Sequence, residues 1–204
     1  MIFNSIQFIF FFTIVTTAYF LIPYRFRWLL LLLASCYFYM AFIPIYILVL
    51  GGTIVVNYCA GILMENAMGS RKKLLLVISI VANIGVLAFF KYYDFFIGNI
   101  NYVAHFLDWN YSLPLLSILL PIGLSFHTFQ ALSYTIEVYR GAQKAERHFG
   151  IYALYVMFYP QLVAGPIERP QHLLPQFHAE HHFDADRVTK GLKRMAWDSS
   201  KKWL

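Results

Sequence analysis

Residues 28–64 read WLLLLLASCYFYMAFIPIYILVLGGTIVVNYCAGILM, without one charged side chain. A bilayer core takes ~20 apolar residues per helix, so this run is too long for one crossing and long enough for two. Pro44 supplies the break, because proline removes a helical hydrogen bond and clashes with the preceding turn. Two short, closely linked spans are therefore predicted on either side of Ile43-Pro44.

Working outward, Pro23, Arg25 and Arg27 close an earlier apolar run, Ile6 to Ile22, which predicts the first span. Its basic residues follow the run instead of preceding it, the reverse of a secretory signal, so this segment is expected to persist. Downstream, Arg71, Lys72 and Lys73 precede a fourth apolar run, 74–90, with an aromatic edge at 91–96. Residues 98–113 carry Asn99, Asn101, His105, Asp108, Trp109, Asn110 and Tyr111 but no Lys or Arg, which predicts an outer loop. A fifth run, about 114–138, ends in Tyr139, Arg140, Lys144 and Arg147.

Composition agrees with a lipid solvent: 13% of the 204 residues are charged and 60% hydrophobic, against roughly a quarter charged in soluble domains. The net charge of +6 would suit nucleic acid only on the basic face of a soluble domain, and none is visible. Basic loops on the cytoplasmic side explain it instead. With Met1 outside and one crossing per span, every basic cluster falls on that side except Lys91, whose long stem lets its ammonium snorkel to headgroups.

The tail adds Arg169, Arg187, Lys190, Lys193, Arg194, Lys201 and Lys202, so it belongs on the same side and the segment His148 to Ile167 cannot cross. That segment is broken by Pro160, Gly165 and Pro166. Irregular backbone at membrane depth survives only inside protein or beside a wet cavity. The expected fold class is all-α, a polytopic integral membrane protein with about five transmembrane helices plus one re-entrant or interfacial element.

Two stretches carry more than hydropathy. The first is LPIGLSFHTFQ (120–130) with SYTIEVYRG (133–141); the second is FYPQLVAGPIERP (158–170) with LPQF (174–177). Helical offsets of four and three bring Gln130, Tyr134 and Glu137 onto nearly one face. Glu137 either sits at the interface beside Arg140 or helps wall a substrate path. His127, one turn deeper, is either a hydrogen-bonded helix residue or a base, since imidazole needs little tuning near neutrality. Gly165 and Pro166 set an irregular turn. Glu168 and Arg169 follow it, either as an interfacial salt bridge or with Arg169 receiving phosphates. His172, His178, His181 and His182, with Asp184, match no standard zinc spacing and read as a solvated basic loop, so no metal is expected. Cys36 and Cys59 read as small hydrophobes.

In order and spacing, both stretches resemble the membrane-bound O-acyltransferase family, and more narrowly its alginate O-acetyltransferase-like branch, over residues 1–197. The resemblance implies transfer of an acyl group to the hydroxyl of an exported polysaccharide such as alginate at a bacterial inner membrane. It implies acetyl-CoA as donor, with no cofactor held. Membrane lipid, the polysaccharide acceptor and periplasmic acetylation proteins would be partners, nucleic acid would not, and the N-terminus would be periplasmic. The family's essential histidine lies in a later segment, beyond residue 204, so no catalytic residue is assigned here and the chain alone is expected to be inactive. Where members have Asp-Val-Tyr-Arg-Gly, this chain has Glu137, with the same charge and longer reach.

Two other readings of the hydropathy stand beside this one. D-alanyl transfer to teichoic acid uses a related scaffold, and a transporter or structural membrane subunit would be equally apolar. A transporter predicts internal repeats with paired broken helices, which the chain does not display. Residues 198–204, DSSKKWL, depart from the family's Gly-Leu-Phe-Lys-Lys-Val-Val. One set of codons for that peptide, read one nucleotide later, encodes this tail, so 198–204 is expected to be a frameshifted end of a longer protein.

Overall fold

The computed structural model describes residues 6–41, 44–107, 123–162 and 168–200, and all regular structure among them is helical. Eight helices follow in order: α1 (Ile6–Leu21), α2 (Tyr24–Met40), α3 (Tyr46–Glu65), α4 (Gly69–Phe106), α5 (Leu124–Arg140), α6 (Phe149–Met157), α7 (Pro170–Phe177) and α8 (Ala185–Ser200). The expected breaks at Pro23 and Pro44 separate α1 from α2 and α2 from α3. The end of the tail, 201–204, lies outside the described residues.

α3 and α4 are long and apolar enough to cross a membrane. α1, α2 and α5, of 16, 17 and 17 residues, rise about 24–26 Å against a hydrocarbon core of ~30 Å. Large apolar side chains cover the outside: Ile9, Phe10 and Ile14 on α1 and Val77, Val81 and Phe95 on α4 are exposed. Such a surface is stable against lipid and not against water.

One expectation is corrected. Residues 98–106, predicted as outer loop, continue α4, which runs 38 residues to Phe106. At 1.5 Å per residue the helix is about 57 Å long, well beyond the hydrocarbon. Asn99 and Asn101 do not end it: no Gly-Pro pair or left-handed residue stops the helix there, and Asn99 Nδ2 donates to the Phe95 carbonyl at 2.6 Å, one turn back. Lys91 stands roughly 33 Å along α4 from Gly69, about one hydrocarbon thickness from the basic start of the helix.

A buried polar clamp joins three helices. Asn57 on α3 and Asn83 on α4 exchange side-chain hydrogen bonds at 3.0 and 2.9 Å. Asn57 Oδ1 also accepts from Ser79 at 2.7 Å and from Thr135 of α5 at 3.0 Å. All four side chains are fully buried. Hydrocarbon offers no competing partner, so such bonds fix helix register more reliably than apolar contact does.

The connections gather at one end. Tyr24 Oη donates to the His178 carbonyl and Arg27 Nη1 to the His181 carbonyl, each at 2.6 Å. Tyr58 Oη donates to the Arg147 carbonyl, Arg147 pairs with Glu65, and the Lys72 ammonium sits over the Tyr139 ring. The α1–α2 turn, the end of α3, the start of α4, the end of α5 and residues 178–181 therefore share one face, the basic end.

α6 starts from that end. His148 caps it, Nδ1 accepting from the Ile151 N–H at 3.2 Å, and every residue from Gly150 to Met157 is buried. Nine residues rise only about 14 Å, under half the hydrocarbon. At its inner end, His127 Nδ1 donates to the Val156 carbonyl at 3.1 Å, and the Tyr159 N–H donates to Ser35 Oγ at 3.1 Å. These bonds satisfy buried backbone that has left the helix. The chain is back at the basic end by Gln171 and His178, which bond Glu137 and Glu146. Both described ends of the segment therefore lie at the basic end.

Candidate functional site

The geometry of the first motif starts with its two glycines. Gly123 and Gly141 flank α5 with φ of 79° and 74°, left-handed conformations that favour glycine. At the C-terminal end the Ala142 N–H donates to the Glu137 carbonyl at 3.0 Å and the Gly141 N–H to the Val138 carbonyl at 3.1 Å. This paired arrangement ends a helix sharply. It fixes Glu137 and Arg140 in the last turn of α5, at the basic end.

The second motif reaches the same place from the other side. Pro170 opens α7 at a position where its missing N–H costs nothing, with Arg169 as the preceding cap residue. Gln171 Nε2 then donates to Glu137 Oε2 at 2.9 Å. Tyr155 of α6 lies between the motifs, its hydroxyl donating to the Glu168 carbonyl at 3.1 Å and lying 3.4 Å from the Gln130 carbonyl. The two stretches singled out in the sequence, separated along the chain, therefore form one wall.

Gln130 and Tyr134 are fully buried on α5. Tyr134 packs in an aromatic group with Tyr152 at 4.5 Å and Tyr155 at 6.3 Å between centroids. Its hydroxyl accepts from the Glu146 N–H at 2.8 Å. On the opposite side it lies against Gly61, where a Cβ would come within 2.9 Å of the ring. Glu146 in turn meets His178 Nε2 at 2.9 Å, so α7 is tied at its start to the last turn of α5 and at its end to the loop that follows.

The charged candidates divide. Glu137 is half-buried and bonded to Gln171, not paired with Arg140. Arg140 and Arg169 are exposed at the basic end, with no ion pair among the described residues. Glu168 is half-buried and engaged through its backbone carbonyl. The interfacial Glu168–Arg169 salt bridge that the sequence allowed is absent among the described residues. Gly165 and Pro166 lie outside the described residues. His127 belongs elsewhere, buried in the first turns of α5 at the opposite end. Of the tail histidines, His178 bonds Glu146 and His181 Nε2 contacts the Gln176 carbonyl at 3.1 Å.

Beside this wall lies a cavity of about 220 Å³, lined by Thr16, Tyr19, Leu31, Phe158, Tyr159 and Phe177 among others. Its walls come from α1, α2, the turn after α6 and α7. Sequence reasoning missed Gln171, Tyr155 and the clamp at Asn57. Asn57 and Asn83 were detectable as isolated amides in apolar runs, which seldom face lipid; Gln171 and Tyr155 carried no local signal.

The chain is 36% identical to the probable alginate O-acetylase AlgI of Pseudomonas aeruginosa over 206 aligned positions, 99% of its own length. It is 34% identical to AlgI of Azotobacter vinelandii over 206 positions. It is also 34% identical to the peptidoglycan O-acetyltransferase of Helicobacter pylori over 172 positions, 72% of its length. The chain spans 39%, 41% and 32% of these curated relatives respectively. No family model matches it, and no solved structure does.

Proposed function

Because the chain belongs to the membrane-bound O-acyltransferase family, in the branch of the alginate O-acetylases, we propose that the whole protein O-acetylates an exported polysaccharide. The meeting of the two motifs through Glu137 and Gln171 carries this reading, since it builds one surface, at the basic end, out of both family-like stretches. The names of the relatives favour acetyl over D-alanyl transfer, and an alginate-like acceptor first.

In this reading five helices, α1 to α5, cross a bacterial inner membrane, α6 is re-entrant, and the basic end faces the cytoplasm with the N-terminus periplasmic. Acetyl-CoA approaches that end. Arg169 and Arg140 present exposed guanidinium groups without an ion pair among the described residues, suited to bidentate contact with phosphate oxygens. The acceptor hydroxyl attacks the thioester carbonyl, a C–O bond forms as the C–S bond breaks, and the thiolate leaves. The hydroxyl proton passes to the histidine that the family carries in a later segment, beyond residue 204. Residues 1–204 wall and position; periplasmic acetylation proteins would carry the product onward.

The test is made in the whole protein. Arg169→Ala should lower acetyl transfer about tenfold or more through the donor KM, the loss of a charge-assisted contact, while the protein still inserts. Glu137→Gln should be milder, because an amide oxygen still accepts from Gln171. Unchanged transfer in Arg169→Ala removes the donor-site assignment.

A further inference from the structure

Several buried polar atoms have no partner among the described residues: Tyr39 Oη, His127 Nε2, both amide atoms of Gln130, Tyr152 Oη and Gln171 Oε1. Three of these side chains lie together, away from the basic end. His127 and Gln130 are one turn apart on the same face of α5, and the Tyr39 ring lies 5.8 Å from the imidazole. Their exposures are 1%, 0% and 4%, so solvent does not supply the missing bonds.

The tautomer of His127 follows from its one bond. The Val156 carbonyl only accepts, so Nδ1 carries the hydrogen that points at it, 3.1 Å away. In the neutral ring the second nitrogen then offers a lone pair and no hydrogen. Nε2 is therefore an acceptor held in a fixed direction. Gly123 keeps a side chain out of the space beside it, where a Cβ would stand 3.2 Å from Nε2 and 2.6 Å from the Leu162 carbonyl oxygen. A buried acceptor without a donor is more costly than the bond it forgoes is valuable.

The three groups together define a ligand. Nε2 requires a hydrogen donor, while the Gln130 amide and the Tyr39 hydroxyl each donate and accept. A metal ion or an anion satisfies this set poorly. A group bearing several hydroxyls satisfies it fully. The location adds direction, since Tyr39 is next to last in α2 and His127 lies in the first turns of α5, both at the end remote from the basic loops.

We propose that His127 Nε2, Tyr39 and Gln130 form a hydroxyl-accepting pocket that holds one sugar of the acceptor polysaccharide, entered from the face opposite the donor. This rests on the acyltransferase reading above. His127 binds the acceptor there, and its other nitrogen staples the inner turn of the re-entrant segment.

Two substitutions in the whole protein separate these roles. His127→Asn places an amide N–H near Nδ1, keeping the bond to Val156, and removes Nε2; His127→Gln reaches toward Nε2 and loses the staple. With alginate oligomers as acceptor and acetyl-CoA as donor, His127→Asn should raise the acceptor KM about tenfold, the loss of one hydrogen bond, and leave the donor KM unchanged. His127→Gln should keep the acceptor KM near wild type even if less protein accumulates. A purely structural histidine gives the reverse order, and a wild-type acceptor KM in His127→Asn overturns the pocket while leaving acyl transfer intact. Absence of transfer from the wild-type protein to any glycan overturns the acyltransferase reading and the pocket's ligand with it. Independently of activity, the ¹⁵N resonance of unprotonated Nε2 in the purified protein should move when alginate oligomers are added. An unmoved resonance means that no glycan hydroxyl reaches Nε2, and overturns the proposal even where the variants fail to fold.

Discussion

Substituting Asn57→Leu tests the clamp on which the wall depends. The change keeps a similar volume and removes four interhelical hydrogen bonds: two with Asn83 at 3.0 and 2.9 Å, one from Ser79 at 2.7 Å and one from Thr135 at 3.0 Å. Interhelical bonds in membranes average about 0.6 kcal/mol each and reach about 1.7, which puts the loss at about 2–3 kcal/mol. Two local effects pull in opposite directions. Thr135 keeps its bond to the Ala131 carbonyl and Asn83 Nδ2 its bond to the Ser79 carbonyl, so neither donor is stranded. Asn83 Oδ1, in contrast, loses its donor and the Ser79 hydroxyl its acceptor, both in fully buried sites, which costs about 1 kcal/mol or more each. Equilibrium unfolding in mixed micelles, followed by tryptophan fluorescence and circular dichroism, measures the difference. A cycle with Asn83→Leu should show the double variant less damaged than the two singles combined, by about 1 kcal/mol. Stability of Asn57→Leu within about 0.5 kcal/mol of wild type, a typical surface effect, would refute the clamp.

Cysteines introduced at Lys144 and His178 should be labelled from one side of the membrane and one at Asn101 from the other; opposite sides for Lys144 and His178 would make the segment after α5 a true crossing. Gly150→Ala should disrupt the packing of α6 on α2, because a Cβ there would lie 2.2 Å from Trp28 Cζ3, and overpacking costs about 1–3 kcal/mol; trimming Trp28 to Leu in the same protein should recover most of it, as read by detergent-solubilised thermal stability.

Much of this was legible because the membrane simplifies the problem. Prolines and apolar runs place α1 and α3 to within a residue or two, whereas α2 starts at Tyr24, four residues before the charge-free run, and the sidedness of Arg and Lys anticipates that the described ends of the segment after Arg147 share the basic end. The sequence misjudged the end of α4, since Asn99 and Asn101 do not stop a helix in which the Asn99 amide bonds the turn before it. The pairing of Glu137 was also hidden. Arg140, three residues away, is the nearest opposite charge in sequence, yet the sharp glycine ending of α5 and the proline start of α7 deliver Gln171 instead. The double role of His127 needed the Val156 carbonyl, which no local pattern predicts.

The sidedness of the donor tests the account most directly. Inverted inner-membrane vesicles carrying the whole protein, with alginate oligomers enclosed, expose the basic end to the medium; right-side-out vesicles hide it. Labelled acetyl-CoA added outside should acetylate the enclosed oligomers only in inverted vesicles, and Arg169→Ala should weaken that signal. Label transferred equally in both orientations, or in neither, would contradict a donor received at the basic end by the wall that Glu137, Gln171 and Tyr155 hold together.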